Sequence, residues 1–426
     1  MAEKLQPVRG THDILPSAYS AFAQVIETAQ QIAERYGYAR MDTPMFEFSD
    51  VFHRAVGETS DIVSKETYTF TDRGGESITL RPEFTAAIVR SYLSNGLQQF
   101  APFKAFYAGP AFRYERPQKG RMRQFHQFGC ELLGAAVPTA DVEMIALAQH
   151  ILNALGIAHA AQLEINTLGD SESRTNYRSL LVEYLSAHRD GLSEDSKLRL
   201  EKNPLRVLDS KSAEDQNIVQ HAPKLSAALS PQAQEFFAQV EEGLARLGIA
   251  YTRNERLVRG LDYYNHTVFE FTTDKLGAQA TILAGGRYDG LVEMMGGPAT
   301  AGIGFAAGVE RLIGLREALA ISPAAPLAPQ LAIIPLEAVQ EAEAMLLAHQ
   351  LRHAGYRVEL GYAGKAAKRL QRADKAGVKL ALMLGENEVH QGTVTIKHLA
   401  QGTQHSEVRS DLLTQLPKLL GTDTKD

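Results

Sequence analysis

Arginines, carboxylates and tyrosines gather in a few short windows of this sequence, in numbers sufficient to hold an amino acid beside a triphosphate. The densest window is Phe112-Arg113-Tyr114-Glu115-Arg116-Pro117-Gln118-Lys119-Gly120-Arg121-Met122-Arg123-Gln124-Phe125-His126-Gln127-Phe128. A charge run of this kind is usually a solvated face. Here it reads as a hairpin tip between strands with alternating aromatics, where arginines can clamp phosphates through paired hydrogen bonds. Beyond the tip, Gln127, Gly129 and Glu131 share one strand face by period-two alternation. A glutamate on an inward face is costly to bury alone, so Glu131 wants a cationic or hydrogen-bonding ligand.

Leu80-Arg81-Pro82-Glu83-Phe84-Thr85-Ala86 opens a helix with a carboxylate and a hydroxyl, which an ordinary N-terminal cap would also explain. Leu257-Val258-Arg259-Gly260-Leu261-Asp262-Tyr263-Tyr264 sets charged and phenolic groups between apolar strands, around a glycine that permits close backbone approach. Gly285-Gly286-Arg287-Tyr288-Asp289-Gly290 adds a second glycine-rich turn. Gly302-Ile303-Gly304-Phe305-Ala306-Ala307-Gly308 looks superficially like a dinucleotide fingerprint, but its spacing is off by one residue and no βαβ unit surrounds it. It reads instead as a small-residue strand feeding a helix, with Arg311 in the first turn, where a phosphate is favoured. No Gly-x-x-x-x-Gly-Lys-Ser/Thr run is present, so a P-loop is not the phosphate holder.

The elements that must position these windows read as an antiparallel sheet rather than alternating βαβ units. Asp13 to Pro16 suggests a capped start to an amphipathic helix over 18–36, with Phe22, Ile26, Ala29 and Ala33 on one face and Gly37 closing it. Residues 40–47 are strand-like, with Pro44 suited to an edge or a subunit boundary. Residues 67–70 and 78–80 flank Asp72-Arg73-Gly74-Gly75 as a hairpin. Strands are expected at 103–108, 124–132, 161–168 and 267–271, and helices at 84–93 and 141–155. From Ser171 to about Tyr251 the chain turns helical and polar, broken by Pro204, Pro223 and Pro231. The expected class is α+β: a sheet domain over 1–170 and 252–322 and a mostly helical insertion over 171–251, followed by a proline and alanine linker over 323–330. A small α/β domain over 331–426 completes the chain, with strands at 331–335, 357–360, 380–384 and 393–396 and helices at 337–354 and 366–376.

Composition sets outer bounds. The 426 residues suggest two or three domains, and 44% hydrophobic residues are ordinary for a protein with a sizeable core. The single cysteine, Cys130, excludes an internal disulfide framework and a thiolate zinc site, and no metal site is expected. Neither a membrane span nor a signal peptide is visible, so a cytosolic enzyme is expected. A net charge of −6 argues against nonspecific coating of nucleic acid. Local basic patches remain, one in the hairpin window and one at Lys365, Lys368, Arg369, Arg372, Lys375 and Lys379.

With these windows in place, the chain resembles the class II aminoacyl-tRNA synthetases, and specifically the histidyl-tRNA synthetase family. Arg9-Gly10-Thr11-His12-Asp13 is similar to the family's opening, and the Pro44 segment to its first motif, which builds the dimer interface. Residues 112–131 resemble the second motif and 302–311 the third. Arg259-Gly260-Leu261-Asp262-Tyr263-Tyr264 and Gly285-Gly286-Arg287-Tyr288-Asp289 resemble the two histidine-specific signatures. Gly385-Glu386-Asn387-Glu388 and Gly392-Thr393-Val394-Thr395 carry the likeness towards the end. Two positions depart from it: Phe84 stands where glycine is expected, and Met122 where an aromatic is common.

The resemblance implies a cytoplasmic homodimer without a membrane association or a protein-bound prosthetic group. It would activate L-histidine with ATP and Mg²⁺ and pass the histidyl group to the 3′ end of histidine tRNA. By that resemblance Arg113 holds the α-phosphate, Arg121 and Arg311 hold the outer phosphates, and Glu115 approaches the adenine. Arg259 sits opposite the histidine carboxylate and the α-phosphate, so Arg113 and Arg259 are the catalytic groups. Glu131 and Tyr264 read the imidazole ring, Glu83, Thr85 and Gln127 hold the amino and carboxylate groups, and Tyr263 belongs to the same histidine pocket. Gln118 and Arg123 would meet the tRNA acceptor end. The 331–426 domain resembles an anticodon-binding domain whose Lys365, Lys368 and Arg372 would meet the tRNA backbone; a solvated helix face is the plainer reading there. One rival is a non-catalytic, histidine-sensing regulatory paralogue of histidine biosynthesis. Such relatives usually lack the C-terminal domain. A second rival, a paralogue that aminoacylates a protein, is disfavoured by the basic C-terminal domain.

Overall fold

A computed structural model describes residues 4–56, 66–115, 121–208, 210, 212–257, 263–277, 281–322 and 328–421. The chain divides into two compact units, Met1–Ala324 and Ala325–Asp426.

The first unit opens with α1 (Pro16–Arg35). Pro16 supplies a preset φ at the first helical turn and no side chain caps the start, so Asp13 is not the cap that the sequence suggested. Val25, Ala29, Ile32 and Ala33 bury one stripe of the helix, and Gly37 leaves it at a φ of +82°. Residues 40–47 do not form one strand. β1 (Ala39–Arg40) and β2 (Phe46–Phe48) lie in different sheets, on either side of Pro44, which cannot donate to a ladder.

Next come α2 (Ser49–Val56), β3 (Tyr68–Thr71) and β4 (Ser77–Leu80). β2, β4 and β3 make a small antiparallel sheet. The expected β3–β4 hairpin closes as the Asp72 carboxylate accepts from the backbone N–H of Gly74 (2.8 Å) and Glu76 (2.9 Å). Then follow α3 (Thr85–Ser94), β5 (Phe103–Phe112), β6 (Gln124–Leu133), α4 (Pro138–Ala154) and β7 (Gln162–Thr167). A helical stretch contains α5 (Ser171–Ala187), α6 (Glu194–Lys202), α7 (Ala213–Val219) and α8 (Pro231–Arg246). The unit ends with β8 (Thr252–Arg253), β9 (Asn265–Thr272), β10 (Thr281–Arg287), α9 (Leu291–Met294), β11 (Gly302–Gly308) and α10 (Val309–Ala318).

Among the described residues the main sheet has eight strands, ordered β1-β5-β6-β11-β10-β9-β7-β8. It is antiparallel from β5 to β7, with parallel pairs at its two ends, β1 on β5 and β8 on β7. One face packs on α1, α4 and α10 through residues such as Phe128, Ile145, Leu152, Phe269, Ile303 and Leu312. The helical stretch divides between two cores. Tyr177, Leu181, Leu185, Leu200 and Val207 pack with one another, whereas Phe237, Val240 and Leu244 of α8 join the core beneath the main sheet.

A buried charge cluster ties this sheet to α4. Arg287 is fully buried and donates to both carboxylate oxygens of Asp141, to Oδ1 of Asp289 (3.0 Å) and to the carbonyls of Ala135 (3.0 Å) and Val137 (3.3 Å). Such a pair is stable only while every partner is present.

The second unit contains β12 (Leu331–Pro335), α11 (Glu341–His353), β13 (Val358–Leu360), α12 (Ala366–Lys375), β14 (Leu380–Leu384), α13 (Glu386–Gln391), β15 (Thr393–His398), β16 (Gln404–Val408) and α14 (Leu412–Leu420). Its sheet runs β13-β12-β14-β15-β16, parallel over the first three strands and antiparallel over the rest. The sequence reading did not anticipate β16, α13 or α14. Arg369 leaves the basic patch: its buried guanidinium donates to Glu341 (2.7 Å) and to the Gly364 carbonyl (2.7 Å). Among the described residues, no helix is long and apolar enough to cross a membrane.

Asp141→Ala leaves the Arg287 charge buried and short of partners. It should lower stability by about 3 to 5 kcal/mol, read as a fall in the urea midpoint of the first unit. Asp141→Leu combined with Arg287→Met should lose less than Asp141→Ala alone.

Candidate active site

A cavity of about 330 Å³ opens on the main sheet between the starts of α3 and α10. Its lining includes Glu83, Thr85, Gln127, Tyr263 and Tyr264, and also Arg113, Glu115, Arg121 and Arg311. Glu131 lies directly behind it, joined to the lining through Thr85. Arg259 and Gln118 lie outside the described residues. Arg123 is near but separate, its guanidinium stacked 4.0 Å from the Tyr114 ring centroid. Lys365, Lys368 and Arg372 belong to the second unit, exposed at and along α12.

The floor follows from strand register. Alternation on β6 sends Gln127, Gly129 and Glu131 to one face, as the sequence implied. Across the ladder from them stand Gly308, Ala306 and Gly304 of β11. These small residues give clearance rather than a dinucleotide turn. A Cβ at Gly304 would collide with the Glu131 carboxyl group, and one at Gly129 with the Tyr107 ring.

Both readings of Glu83 hold at once. Its carboxylate accepts from the backbone N–H of Thr85 (2.6 Å) and Ala86 (2.8 Å), anchoring the start of α3, while it also faces the cavity. A carboxylate has about four acceptor positions, so this capping leaves capacity for a ligand. Burial raises its pKa, against the pull of those N–H groups and of Arg113. Glu131 is 1% exposed and accepts from the Thr85 hydroxyl (2.8 Å) on one oxygen and the Tyr288 hydroxyl on the other. Burial pushes its pKa up to about 8 and neighbouring Glu83 adds to that, although the hydroxyl donors oppose it. The Oε1 of Gln127 is buried and, among the described residues, has no hydrogen-bond donor. An unpaired buried acceptor on a cavity wall is suited to a ligand donor such as an ammonium group.

The arginines are held for a different task. Arg113 donates from Nε to the Pro82 carbonyl (2.9 Å) and lies over the Phe125 ring. Arg121 pairs with Glu115 at 3.1 Å. Arg311, in the first turn of α10, donates to the Thr281 carbonyl (2.7 Å). Burial lowers the Arg311 pKa, and repulsion from Arg121 and Arg113 lowers it further. Like charges crowded around a cavity at a helix N-terminus favour a polyanion.

The two departures also find places. Phe84 stacks on Tyr107 with ring centroids 4.4 Å apart, and the Arg81 guanidinium lies 3.9 Å from its centroid. Met122 lines the cavity. Sequence reasoning did not include Tyr107, Tyr288 or Glu310 among the site residues, yet all three line the cavity. Tyr288 lay within a quoted signature, but its partner is far away in sequence and only the sheet register joins them.

The raised Glu131 pKa fixes a sign. Between the ordinary 4.5 and about 8 the native state holds a proton that the unfolded chain releases, so stability falls as pH rises through that window. Glu131→Gln removes this loss, so the melting temperature of the variant relative to the parent should rise from pH 5 to pH 8. A constant difference would contradict the buried, raised carboxyl.

Comparison with known proteins points the same way. The sequence profile described as histidyl-tRNA synthetase matches residues 10–171 and 183–312, and that of an anticodon binding domain matches 330–419. The histidine–tRNA ligase of Rhodospirillum rubrum is 54% identical over 402 residues, covering 94% of this chain and 96% of its own. That of Gluconacetobacter diazotrophicus is 51% identical, covering 98% and 99%. The crystal structure of apo S. aureus histidyl-tRNA synthetase superposes with a TM-score of 0.83 at 33% identity, covering 96% of this chain and 99% of that one. The chain belongs to the histidyl-tRNA synthetase family.

Proposed function

We infer that this chain is a histidine–tRNA ligase, which activates histidine with ATP and esterifies it onto tRNA. The observation that carries the reading is the single cavity in which an amino-acid-sized set of polar groups adjoins crowded arginines, in a chain of this family. The nearly full-length match to ligases and the anticodon-binding profile favour this over a regulatory paralogue.

In the proposed reaction the histidine carboxylate attacks the α-phosphate of ATP, giving histidyl-adenylate and pyrophosphate, and a hydroxyl of the tRNA 3′ ribose then takes the acyl group and releases AMP. The side chains position and stabilise charge rather than bond covalently to substrate. Arg113 stabilises the α-phosphate, Arg121 and Arg311 the outer phosphates, and Glu115 takes the adenine end. Because Arg121 is paired with Glu115, the nucleotide would take over that arginine as it enters. Mg²⁺ would come with ATP as its phosphate complex. Glu83, Thr85 and Gln127 would orient the amino and carboxylate groups, the Gln127 oxygen, which has no donor among the described residues, being suited to the ammonium. Glu131 and Tyr264 would pair both ring nitrogens, with Tyr263 beside them. A site that pairs both nitrogens can reject competitors by about 10⁴ to 10⁵. Arg259 is proposed as the fixed cation opposite the histidine carboxylate.

Lys365, Lys368, Arg372, Arg123 and Gln118 are proposed tRNA contacts, and a cytoplasmic homodimer is part of the same proposal. Exposed Met45, Phe46, Phe48 and Phe70 on and beside the small sheet support a subunit contact there.

The direct experiment is histidine-dependent ATP–pyrophosphate exchange followed by charging of a total tRNA pool; absence of both would overturn the reading. Arg259→Ala should nearly abolish exchange while the fold persists by circular dichroism, and near-normal exchange would remove its role. Glu131→Ala should raise the KM for histidine far more than that for ATP. Equal effects on the two would count against ring recognition.

A further inference from the structure

The carboxyl group of Glu131 is held by a tyrosine whose own position is over-determined. Tyr288 is 1% exposed, and its hydroxyl donates to Oε2 of Glu131. Its backbone N–H donates to the Gly302 carbonyl at 2.7 Å, and a Cβ at Gly302 would collide with its ring. Tyr263 meets the ring edge-on, with centroids 5.7 Å apart at 71°. Both sequence neighbours are fixed as well. Arg287 is locked to Asp141, and Asp289 donates its backbone N–H to Oδ1 of Asn265 (3.1 Å) while its carboxylate accepts from the Gly302 N–H (3.1 Å). The phenol therefore has no freedom to turn away from Glu131.

We propose that Tyr288 is a positioning residue that acts through Glu131, fixing the orientation in which that carboxyl group meets the imidazole ring of histidine. This rests on the histidine-activating reading above. Thr85 holds the other carboxyl oxygen, so both are spoken for from opposite sides of the group and the carboxyl plane is set before ligand arrives. A hydroxyl that donates to a carboxylate also favours its charged form. Among the described residues, the charged and titratable groups bearing on Glu131 are Glu83 ahead of α3, Tyr107 on β5 and Tyr288 after β10, together with its own neighbour Cys130 and nearby Tyr38 and Tyr263. Glu83 opposes ionisation of Glu131, while the hydroxyls of Tyr288, Thr85 and Tyr107 support it. The arginine, tyrosine and aspartate of the glycine-rich turn thus have one common purpose: two clamps around one donor.

Tyr288→Phe removes the donor and keeps the ring. In pyrophosphate exchange it should raise the histidine KM roughly ten- to hundredfold, while the ATP KM stays within about twofold. The rising limb of kcat/KM for histidine against pH should move to higher pH, because Glu131 loses a group that favours its anion. In a Glu131→Gln background the same substitution should have little further effect. Additive losses, equal changes in both KM values, or an unmoved pH limb would each overturn the proposal. If the phenylalanine variant does not fold, difluorotyrosine at position 288 provides the test. It is a stronger donor, so the limb should move to lower pH, and an unmoved limb overturns the proposal. Failure of the unsubstituted enzyme to exchange at all would instead sink the underlying functional reading.

Discussion

A carboxylic acid buried in the middle of a β-sheet must be supported by its surroundings, and most of the site architecture can be read as that support. Glu131 sits on a strand with neighbours on both sides, out of water, where ionisation is opposed by desolvation and by nearby Glu83. What makes the position tolerable is a set of donors delivered from separate elements, Thr85 at the start of α3 and Tyr288 after β10. What makes it sterically possible is Gly304, whose missing side chain leaves room for the carboxyl group. A side chain at Gly304 would collide with the carboxyl group, and loss of the donors would oppose its ionisation further.

The same sheet carries a second, opposite electrostatic problem a short distance away. Arg113, Arg121 and Arg311 approach one cavity from the β5–β6 hairpin and from α10, close enough for their charges to repel. Each is restrained by a partner on the protein, namely the Pro82 carbonyl, Glu115 and the Thr281 carbonyl. The cost of crowding them is offset when a polyanion binds. A buried acid able to pair with a ring nitrogen and a cationic cradle, placed side by side, suit the two halves of an aminoacyl-adenylate.

Much of this was legible in the sequence because it depends on local periodicity. The β6 alternation put Gln127 and Glu131 on one face, and the small-residue run before Val309 placed Arg311 at a helix start. What escaped depends on contacts between distant segments. Tyr288 meets Glu131 only through the register of β6, β11 and β10, and α8 joins the main core although its polar, proline-flanked sequence resembles the helices before it. Pro44 suggested an edge or a subunit boundary within one strand-like stretch, not that two short strands beside it serve different sheets. Asp13 looked like a cap, whereas α1 starts without one at Pro16, which has no N–H to satisfy and a φ already suited to the helix.

The central claim, that one cavity takes the imidazole ring and the adenylate phosphate together, is tested most directly by a crystal structure with a non-hydrolysable histidyl-adenylate analogue. The account predicts a ring nitrogen at about 2.7 to 3.2 Å from a Glu131 oxygen and the phosphate mimic within reach of Arg113. An analogue bound elsewhere, or with its ring turned away from Glu131, would contradict it.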